Sequence, residues 1–476
     1  DTTSALTPAY TRPLAVNNCD NRLIARVAAV LISPSLSEHL YPEQKGFIPG
    51  REGKDHIEIL NRDFYSALED DRLHHILSID TRKAFDSIFV DYLHSVLRAV
   101  NLPPWLSSLV GGLYSEARIT PAFSSGPTGV WINLERGVRQ GCPLSPLLFA
   151  IALDPLIERL RMISGVRTCA FADDLAFSSS SASRFSAVMR VIDAFAAASG
   201  LGINTDKTAI ISTKDIDLSE WIGSSLWPDL VHAEHIKYLG VKMGRLVDIE
   251  QVFEVAFEKL TKRARSFYPL TRTLTVNKRI HLANIFILPL LYYLFQFFTL
   301  PHSLSLLLYE ILRWLVIPLR TSYSIIHLYL PPREIALRTA LKHPWAVNLA
   351  LIAGQGDFST WQGASSAPCR GNDSMLITSH RFNAITDIVN SHLAYGAGLG
   401  GDDAIFDHAP FYHIDPHIRR RQIYNLLITI CASIENVDAI IVTKLKKWGI
   451  LDVPPTRVTA HFRTLSPKIT HPRYTQ

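Results

Sequence analysis

Cysteine is scarce in this sequence of 476 residues. The five cysteines occur singly, at Cys19, Cys142, Cys169, Cys369 and Cys431, with no Cys-x-x-Cys pair. A disulfide framework and a cysteine-rich zinc site both require closely spaced cysteines, so the sequence predicts neither of them. A reducing compartment fits this pattern.

Excess charge of one sign is also small. The formal net charge is +5, so the mean charge does not indicate a nucleic-acid-binding protein, and such a surface requires local clustering of basic residues. The hydrophobic content of 47% excludes a disordered chain, and the length gives room for roughly two to four domains. No internal repeat or signal peptide is visible. The start at Asp1 rather than Met is interpreted as a piece of a longer product.

One long segment lacks charged residues altogether. Residues 282–301 are apolar over a length that can span a bilayer. Pro289 lies near the middle of this run, and Asn284 and Gln296 lie inside it, which favours a buried helix of a large domain. The sequence therefore predicts no membrane association, and a membrane span is the alternative.

Two adjacent aspartates, Asp173 and Asp174, occupy the tip of a predicted hairpin between apolar residues 168–171 and 175–177. Two like charges in contact raise the pKa of one carboxyl unless a cation neutralises them. Mg²⁺ suits this role because it prefers oxygen ligands and keeps positions open for phosphate oxygens. The alternative is a solvated turn, in which Asp is common.

A third carboxylate, Asp80, follows a short predicted strand over residues 76–79. Its place at a strand end beside the first hairpin predicts a third metal ligand. Phe85 could lie under a bound sugar and exclude a 2′-hydroxyl, or it could be a core aromatic. Farther along, Gln140 can hydrogen-bond a base or a backbone edge, and Gly141 lets the backbone approach a ligand closely.

The remaining patterns predict further elements. A first helix is expected over about 20–32, with an apolar face of Leu23, Ile24, Val27, Val30 and Leu31, and it is ended by Ser33-Pro34. Further helices are expected over 53–69, over 91–119 with a break at Pro103-Pro104, from near Pro143 to Leu156, and from a Ser183 cap to Gly200. A hairpin is expected over 120–135, a strand and turn over 236–241, a linker over 354–374, and a helical tail over about 418–448. The pair Asp402-Asp403 lacks apolar flanks and is interpreted as a loop, and His408, His413 and His417 without a nearby cysteine do not predict zinc.

Basic residues cluster over 258–279, where Glu258 is the single acid. The cluster consists of Lys259, Lys262, Arg263, Arg265, Arg272, Lys278 and Arg279. At near-helical spacing it is suited to a phosphate backbone. The alternative is an ordinary solvated face.

The order of these motifs resembles that of reverse transcriptases, and the wording is closest to the non-LTR (LINE-type) retrotransposon branch. The resemblance covers about residues 10–320. It is carried by Arg12-Pro13, Gly46-Phe47-Ile48-Pro49-Gly50, Ala84-Phe85-Asp86, residues 140–146, Phe171-Ala172-Asp173-Asp174, residues 200–204 and Tyr238-Leu239-Gly240. Neither of the endonuclease domains found in full-length relatives is visible here.

The resemblance implies an α+β fold of the right-hand polymerase type, with an antiparallel palm sheet, a helical thumb and a mostly helical C-terminal region. Fingers and palm are then expected over 1–245, the thumb over 246–345, a linker-rich region over 346–410 and a helical segment of unknown role over 411–476. The apolar run 282–301 falls in the expected thumb.

The implied function is RNA-directed DNA polymerase activity, a nucleotidyl transfer that extends the 3′-hydroxyl of a DNA primer on an RNA template with dNTPs. Two Mg²⁺ ions, for which Mn²⁺ can substitute, would be held by Asp80 and Asp173 with help from Asp174. Lys207 is the candidate proton donor to pyrophosphate. The family implies a nuclear location, and the oligomeric state stays open.

The resemblance also implies roles for the other motif residues. Arg12 and Arg22 would contact the triphosphate, although two solvated arginines are the alternative. Phe85 would exclude ribonucleotides, and Gln140 and Gly141 would line the nucleotide and template site. The turn at Tyr238, Leu239 and Gly240 would grip the primer, and the duplex backbone would be followed by Lys259, Lys262, Arg263 and Arg265.

Two alternatives to this function remain open. One is a catalytically silent nucleic-acid-binding scaffold that keeps the fold without the chemistry. The other is a group II intron or other bacterial-type enzyme, which the wording of residues 282–301 and the missing maturase motif disfavour.

Overall fold

A five-stranded sheet organises the first of the two units into which the chain divides, Asp1–Leu246 and Val247–Gln476. The computed structural model describes residues 17–114, 118–120, 122–123, 126–271, 273–317, 340–354, 375–381, 383, 420–425 and 427–428. Over these residues the fold is α+β, as predicted.

The helices of the first unit are α1 (Cys19–His39), α2 (Lys54–Glu69), α3 (Ala84–Ser87), α4 (Val90–Ala99), α5 (Pro104–Tyr114), α6 (Ser145–Arg161), α7 (Phe185–Ser199) and α8 (Ser219–Gly223). Its strands are β1 (His75–Ile79), β2 (Arg118–Ile119), β3 (Ala122–Phe123), β4 (Gly126–Pro127), β5 (Ile132–Asn133), β6 (Arg167–Phe171), β7 (Asp174–Ser179), β8 (Ala209–Ser212), β9 (Val231–His232), β10 (His235–Tyr238) and β11 (Val241–Gly244).

The sheet has the strand order β6-β7-β1-β8-β9. Four of these strands are antiparallel, as predicted, but β9 pairs with β8 in parallel, so the sheet is mixed. The central strand β1 buries Ile76, Leu77 and Ile79. The apolar helix α6 is buried along most of its length, which is typical of a helix without a polar face.

The predicted hairpin over 120–135 is confirmed as two nested antiparallel ladders, β2 with β5 and β3 with β4. The strand and turn near Tyr238 are confirmed as the β10–β11 hairpin. The break between α4 and α5 lies at Pro103-Pro104, and Gly200 ends α7 with φ +80°. Ser183 does not cap α7, because it lies in a 3₁₀ turn over Ala182–Arg184.

The predicted end of the first helix at Ser33-Pro34 is wrong, since α1 continues through Pro34 to His39. The guanidinium of Arg51 donates hydrogen bonds to four backbone oxygens at and beyond the end of α1, those of Ser37, Leu40, Tyr41 and Gln44, at 2.6–2.8 Å. This contact from outside the helix satisfies carbonyls that a helix end otherwise leaves unpaired. Pro34 indicates a helix end from the local sequence alone, and the local sequence does not show the contact with Arg51.

The apolar face predicted for α1 is also not the buried one. Ala25, Ala28, Ala29, Ile32 and Leu36 are buried. The predicted positions Leu23, Ile24, Val27, Val30 and Leu31 are exposed by 49–67%. Three of the five buried residues are therefore small alanines, and the larger side chains of the other face are exposed.

The second unit contains α9 (Ile249–Thr271), α10 (Val276–Leu282), α11 (Pro289–Tyr292), α12 (His302–Val316) and α13 (Pro344–Ala353). The prediction of one buried helix over 282–301 is wrong in its form. The run consists of the end of α10, a π-helical stretch over Ala283–Ile287, α11 and a 3₁₀ turn over Leu294–Gln296. Pro289 starts α11, and the Asn284 side chain bonds outward to Ala340 and Lys342.

Burial of the run is confirmed for several of its large residues, including Leu288, Leu291, Phe295 and Phe298. Within the part of the chain that the structure describes, no helix combines the length and the apolar character that crossing a membrane requires. The linker predicted beyond 354, the Asp402-Asp403 pair and the three later histidines lie outside the described residues, as does most of the predicted tail.

Replacing Arg51 with Met should lower the free energy of unfolding by about 2–4 kcal/mol, because a buried carbonyl left without a donor costs about 1–3 kcal/mol. Urea denaturation followed by circular dichroism measures the loss. Arg72→Met is the matched control, since Arg72 pairs with Asp70 on the surface and such pairs contribute about 1 kcal/mol at most. Equal losses in the two variants would contradict the role given to Arg51.

Candidate active site

Strand pairing brings two of the predicted catalytic aspartates together. In the antiparallel ladder of β1 with β7, Ile79 lies opposite Leu175. Continuing this register by one residue places Asp80 opposite Asp174. Residues opposite each other in such a ladder have neighbouring side chains, so the register brings carboxylates from two distant segments to one end of the sheet.

Asp173 lies in the turn of the β6–β7 hairpin. Phe171 pairs with Asp174, which leaves Ala172 and Asp173 as the connecting residues. Ala172 has φ +54°, a left-handed conformation that is unfavourable for a residue with a Cβ. The predicted strand, tight turn and strand are thus confirmed, and the turn holds a strained residue next to Asp173.

The pKa of Asp174 reflects its burial and the proximity of the other two carboxylates. Desolvation of its carboxyl, followed by the negative charges of Asp173 and Asp80, raises the pKa of Asp174 from an ordinary value near 3.8 to about 6. Each of these effects disfavours the charged carboxylate. A cation beside these carboxylates would offset their repulsion.

The loop after α7 holds Asp80 in place. The amide of Asn204 donates to Asp80 Oδ2 at 2.9 Å, and the Asn204 backbone N–H donates to the Asp80 carbonyl at 2.8 Å. The Thr208 hydroxyl accepts from the Asp80 N–H at 3.4 Å. Lys207, in the 3₁₀ turn of this loop, is exposed. These contacts fix the position of Asp80 without adding a positive charge beside it.

A metal ion is a good chemical match for this donor set, because three carboxylates supply the hard oxygen ligands that Mg²⁺ prefers. Together with desolvation, the negative charges of Asp173 and Asp80 contribute to the raised pKa of Asp174, and a bound cation would offset their repulsion. Among the described residues, however, no group of three His, Cys, Asp or Glu side chains is arranged closely enough to hold an ion. The carboxylates share an end of the sheet but do not form a closed cage.

Phe85 packs in an aromatic cluster beside this site. Its ring stacks on that of Phe149, with centroids 4.4 Å apart, and meets the ring of Phe47 edge to face at 5.6 Å. Phe85 is half-buried, whereas Phe47 is exposed by 45%. Both earlier interpretations of Phe85 are therefore compatible with its position, because one part of the ring packs in the core and another part is accessible.

The loop with Gln140 and Gly141 lies against the segment that carries Phe85. The Val138 N–H donates to the Phe85 carbonyl at 2.7 Å, and the Gln140 side-chain amide donates to Asp86 Oδ1 at 2.6 Å. Gly141 has φ +78°. Residues of two separate motifs thus form one polar wall.

The predicted primer-grip turn lies near the β6–β7 hairpin. A Cβ placed on Gly53 would come within 3.0 Å of both Phe171 and Leu239 side-chain atoms, so these two residues pack on the same glycine. Tyr238 is buried, with its hydroxyl 3.5 Å from His56 Nδ1, whereas Leu239 is half-buried and Gly240 is exposed. Of these three predicted primer-grip residues, Leu239 and Gly240 are accessible to a ligand and Tyr238 is not.

The predicted basic contacts differ in their surroundings. Arg12 lies outside the described residues, and Arg22 is exposed on α1. All four predicted backbone-binding residues on α9 are exposed: Lys259, Lys262, Arg263 and Arg265. Lys262 and Arg265 share a concave surface with Glu258 and with two further acids, Glu250 and Glu254, which precede the segment 258–279.

The sequence reasoning missed three side chains that contact the site. Gln44 hydrogen-bonds to Ala172, Asn204 to Asp80, and Asp86 accepts from Gln140. Asn204 and Asp86 belong to motifs that were quoted for the resemblance, so their positions were visible. Gln44 lies two residues before the Gly46–Gly50 motif, and only its contact with the β6–β7 turn gives it a role.

Similarity to known proteins identifies the class to which this chain belongs. Residues 7–243 match the family model of reverse transcriptase (RNA-dependent DNA polymerase). The chain therefore carries a reverse transcriptase domain, of the kind found in non-LTR retroelements.

Among curated proteins, the chain is 25% identical over 358 residues to the Pol polyprotein of the type-2 retrotransposable element R2DM of Drosophila melanogaster, covering 70% of this chain and 32% of that protein. It is 26% identical over 243 residues to the transposon TX1 149 kDa protein of Xenopus laevis, covering 49% and 18%. The chain thus spans about a third or less of these relatives. Among solved structures, telomerase from Candida tropicalis aligns with a TM-score of 0.37 at 12% identity, over 84% of this chain and 56% of that one.

Removing the charge of Asp173 should lower the pKa of Asp174. In metal-free Asp173→Asn protein, we expect the pKa of Asp174 to fall from about 6 toward its ordinary value, because one of its two repulsive neighbours is neutral. Carbon-detected NMR titration of the carboxyl groups measures this.

The same shift links the site to stability. Because the folded pKa is raised, protonation of Asp174 favours the folded state. This contribution is fully present below about pH 4 and is lost as the pH rises through about 6. Asp229→Asn, in an exposed turn after α8, is the control and should leave the titration of Asp174 unchanged. An unaltered titration in Asp173→Asn would show that the charge of Asp173 does not contribute to the raised pKa of Asp174.

Proposed function

We propose that this chain is an RNA-directed DNA polymerase, which extends the 3′-hydroxyl of a DNA primer on an RNA template by nucleotidyl transfer from dNTPs. The observation that supports this most strongly is the register of β1 with β7, which brings Asp80 beside Asp174 and next to the turn with Asp173. The three aspartates fall within the residues that match the reverse transcriptase model.

Asp80 and Asp173 would hold two Mg²⁺ ions, or Mn²⁺ in their place, with Asp174 assisting. When bound, such ions lower the pKa of a primer hydroxyl and neutralise phosphate charge. The protein side of the reaction is positioning. Asn204 fixes Asp80, and the hairpin backbone fixes Asp173 and Asp174, so the negative charges are in place before substrate arrives.

Selection of the nucleotide would fall to the aromatic cluster and the polar wall. The accessible part of Phe85 would lie under the sugar and exclude a 2′-hydroxyl, while the stack on Phe149 keeps its ring from turning aside. Gln140 and Gly141 would line the nucleotide and template side. Because the Gln140 side chain is bonded to Asp86, its carbonyl oxygen is oriented by that bond.

The other predicted contacts complete the proposal. Arg12 and Arg22 would bind the triphosphate, and the exposed Lys207 would give a proton to the leaving pyrophosphate. The turn at Leu239 and Gly240 would contact the primer, with the buried Tyr238 supporting it.

Lys259 and Arg263, away from the acidic concave surface, are better placed than Lys262 and Arg265 to follow a phosphate backbone.

We assign fingers and palm to residues 1–245 and the thumb to 246–345, and we infer a nuclear location from the family alone.

Primer extension on a poly(A)-containing RNA template tests the proposal. We expect wild-type protein to extend the primer with Mg²⁺ and dNTPs, and Asp173→Ala to lose activity by at least roughly a thousandfold, because transition-state charge loses its stabilisation. Asp229→Ala, an exposed aspartate elsewhere in the same unit, is the matched control and should be active.

No extension by wild type, together with tight binding of the template–primer duplex by all three proteins, would support the silent scaffold instead. Extension by Asp173→Ala at the wild-type rate would remove the hairpin from the chemistry.

Phe85→Val should increase the use of ribonucleotides relative to deoxynucleotides by roughly tenfold or more, because the smaller side chain leaves space for a 2′-hydroxyl. Single-nucleotide incorporation with matched rNTP and dNTP pairs gives the ratio of their kcat/KM values. Phe286→Val, at an exposed phenylalanine of the second unit, is the control. A ratio that stays the same in Phe85→Val would return Phe85 to a purely structural role.

A further inference from the structure

We propose that Gln44 is a positioning residue for the catalytic carboxylates, which acts by holding the strained turn at Ala172 and Asp173. This inference rests on the proposed polymerase function. Gln44 does not belong to the motifs that identify the family here, and it lies in the loop between α1 and α2, far from the hairpin in sequence.

The loop and the hairpin are joined through their backbones. The Lys45 N–H donates to the Ala170 carbonyl at 2.8 Å, and the Ala170 N–H donates to the Glu43 carbonyl at 3.0 Å. These two bonds form a parallel bridge between Gln44 and Ala170. These bonds hold the loop beside the end of β6, just before Ala172 and the aspartates.

The Gln44 side chain then reaches the strained residue itself. Its Oε1 accepts hydrogen bonds from the Ala172 N–H and from the Gly46 N–H, both at 2.8 Å, and its Nε2 lies 3.5 Å from the Ala172 carbonyl. Ala172 has φ +54°, so the turn needs compensating contacts to keep this conformation. The amide of Gln44 supplies them to the peptide groups on both sides of Ala172.

Water cannot replace this amide. Gln44 is 1% exposed and Ala172 is 3% exposed. A Cβ on Gly46 would lie 2.3 Å from the Ala172 nitrogen, so loop and turn are in direct contact. Without Gln44, two buried N–H groups would lose their acceptor, which strongly favours another arrangement of the turn.

Neutrality also matters at this position. A carboxylate could accept the same two N–H bonds, but it would add a fourth negative charge near Asp80, Asp173 and Asp174, whose repulsion already acts on Asp174. An amide gives the acceptor without the charge. A displaced turn would move Asp173, and misplacement by about 1 Å can cost roughly 100-fold in rate.

The test compares Gln44→Met, which keeps length and removes the amide, with Gln251→Met on α9 as the matched control. For Gln44→Met we expect kcat for single-nucleotide addition to fall roughly 10- to 100-fold. The KM for dNTP and the affinity for template–primer, measured by fluorescence anisotropy in EDTA, should change by less than about threefold, since the binding surfaces are elsewhere.

A second variant separates positioning from general destabilisation. Glycine adopts positive φ without steric cost, so Ala172→Gly in the Gln44→Met background should recover part of kcat. A role in stability alone predicts a further loss, because glycine adds freedom to the unfolded chain. Unchanged kcat in Gln44→Met, or no recovery in the double variant, would overturn the proposal.

Hydrogen–deuterium exchange of the peptide that covers residues 169–175 makes the test independent of catalysis. We expect slow exchange in wild type and in Gln251→Met, and fast exchange in Gln44→Met. If wild-type protein fails to extend a primer, the proposed polymerase function fails, and the exchange rates still decide whether Gln44 holds the turn. Equal exchange in wild type and Gln44→Met would overturn the role of Gln44 by itself.

Discussion

Repulsion between like charges at one end of the central sheet is the constraint on which the rest of this structure depends. The β1–β7 register, continued by one residue beyond Ile79 and Leu175, places Asp80 opposite Asp174, and the hairpin turn adds Asp173. These carboxylates would separate if their strands were free to move. They are kept together by β1, which pairs on both sides, with β7 and with β8, and is buried in the core.

Side-chain amides hold several residues of the site in place through hydrogen bonds. Asn204 donates to Asp80, Gln140 donates to Asp86, and Gln44 accepts from Ala172 and Gly46. Neutral groups fix the geometry without cancelling the negative charge, whereas a lysine or arginine at these positions would neutralise the carboxylates. The negative charge at this end of the sheet is therefore retained.

Local patterns failed where a contact from another part of the chain overrode them. Pro34 predicted the end of α1, but Arg51 binds the carbonyls beyond it and the helix continues. The apolar run 282–301 resembled one helix, but it consists of short pieces, and Asn284 within it bonds to Ala340 and Lys342 from another segment. The first segment is helical and the second is largely buried, as the sequence predicted. The end of the helix and the form of the buried run, however, involve residues outside each segment.

The sequence by itself determined most strand and helix positions, because these follow from short-range periodicity. The order of its motifs supplied the candidate site residues and, through the resemblance to reverse transcriptases, the α+β class. Only the tertiary structure decided which residues meet: that Asp80 faces Asp174, that Asn204 holds Asp80, that Tyr238 is buried and that Gln44 reaches Ala172. Strand register and contacts between distant segments depend on packing of the whole core, which no local pattern encodes.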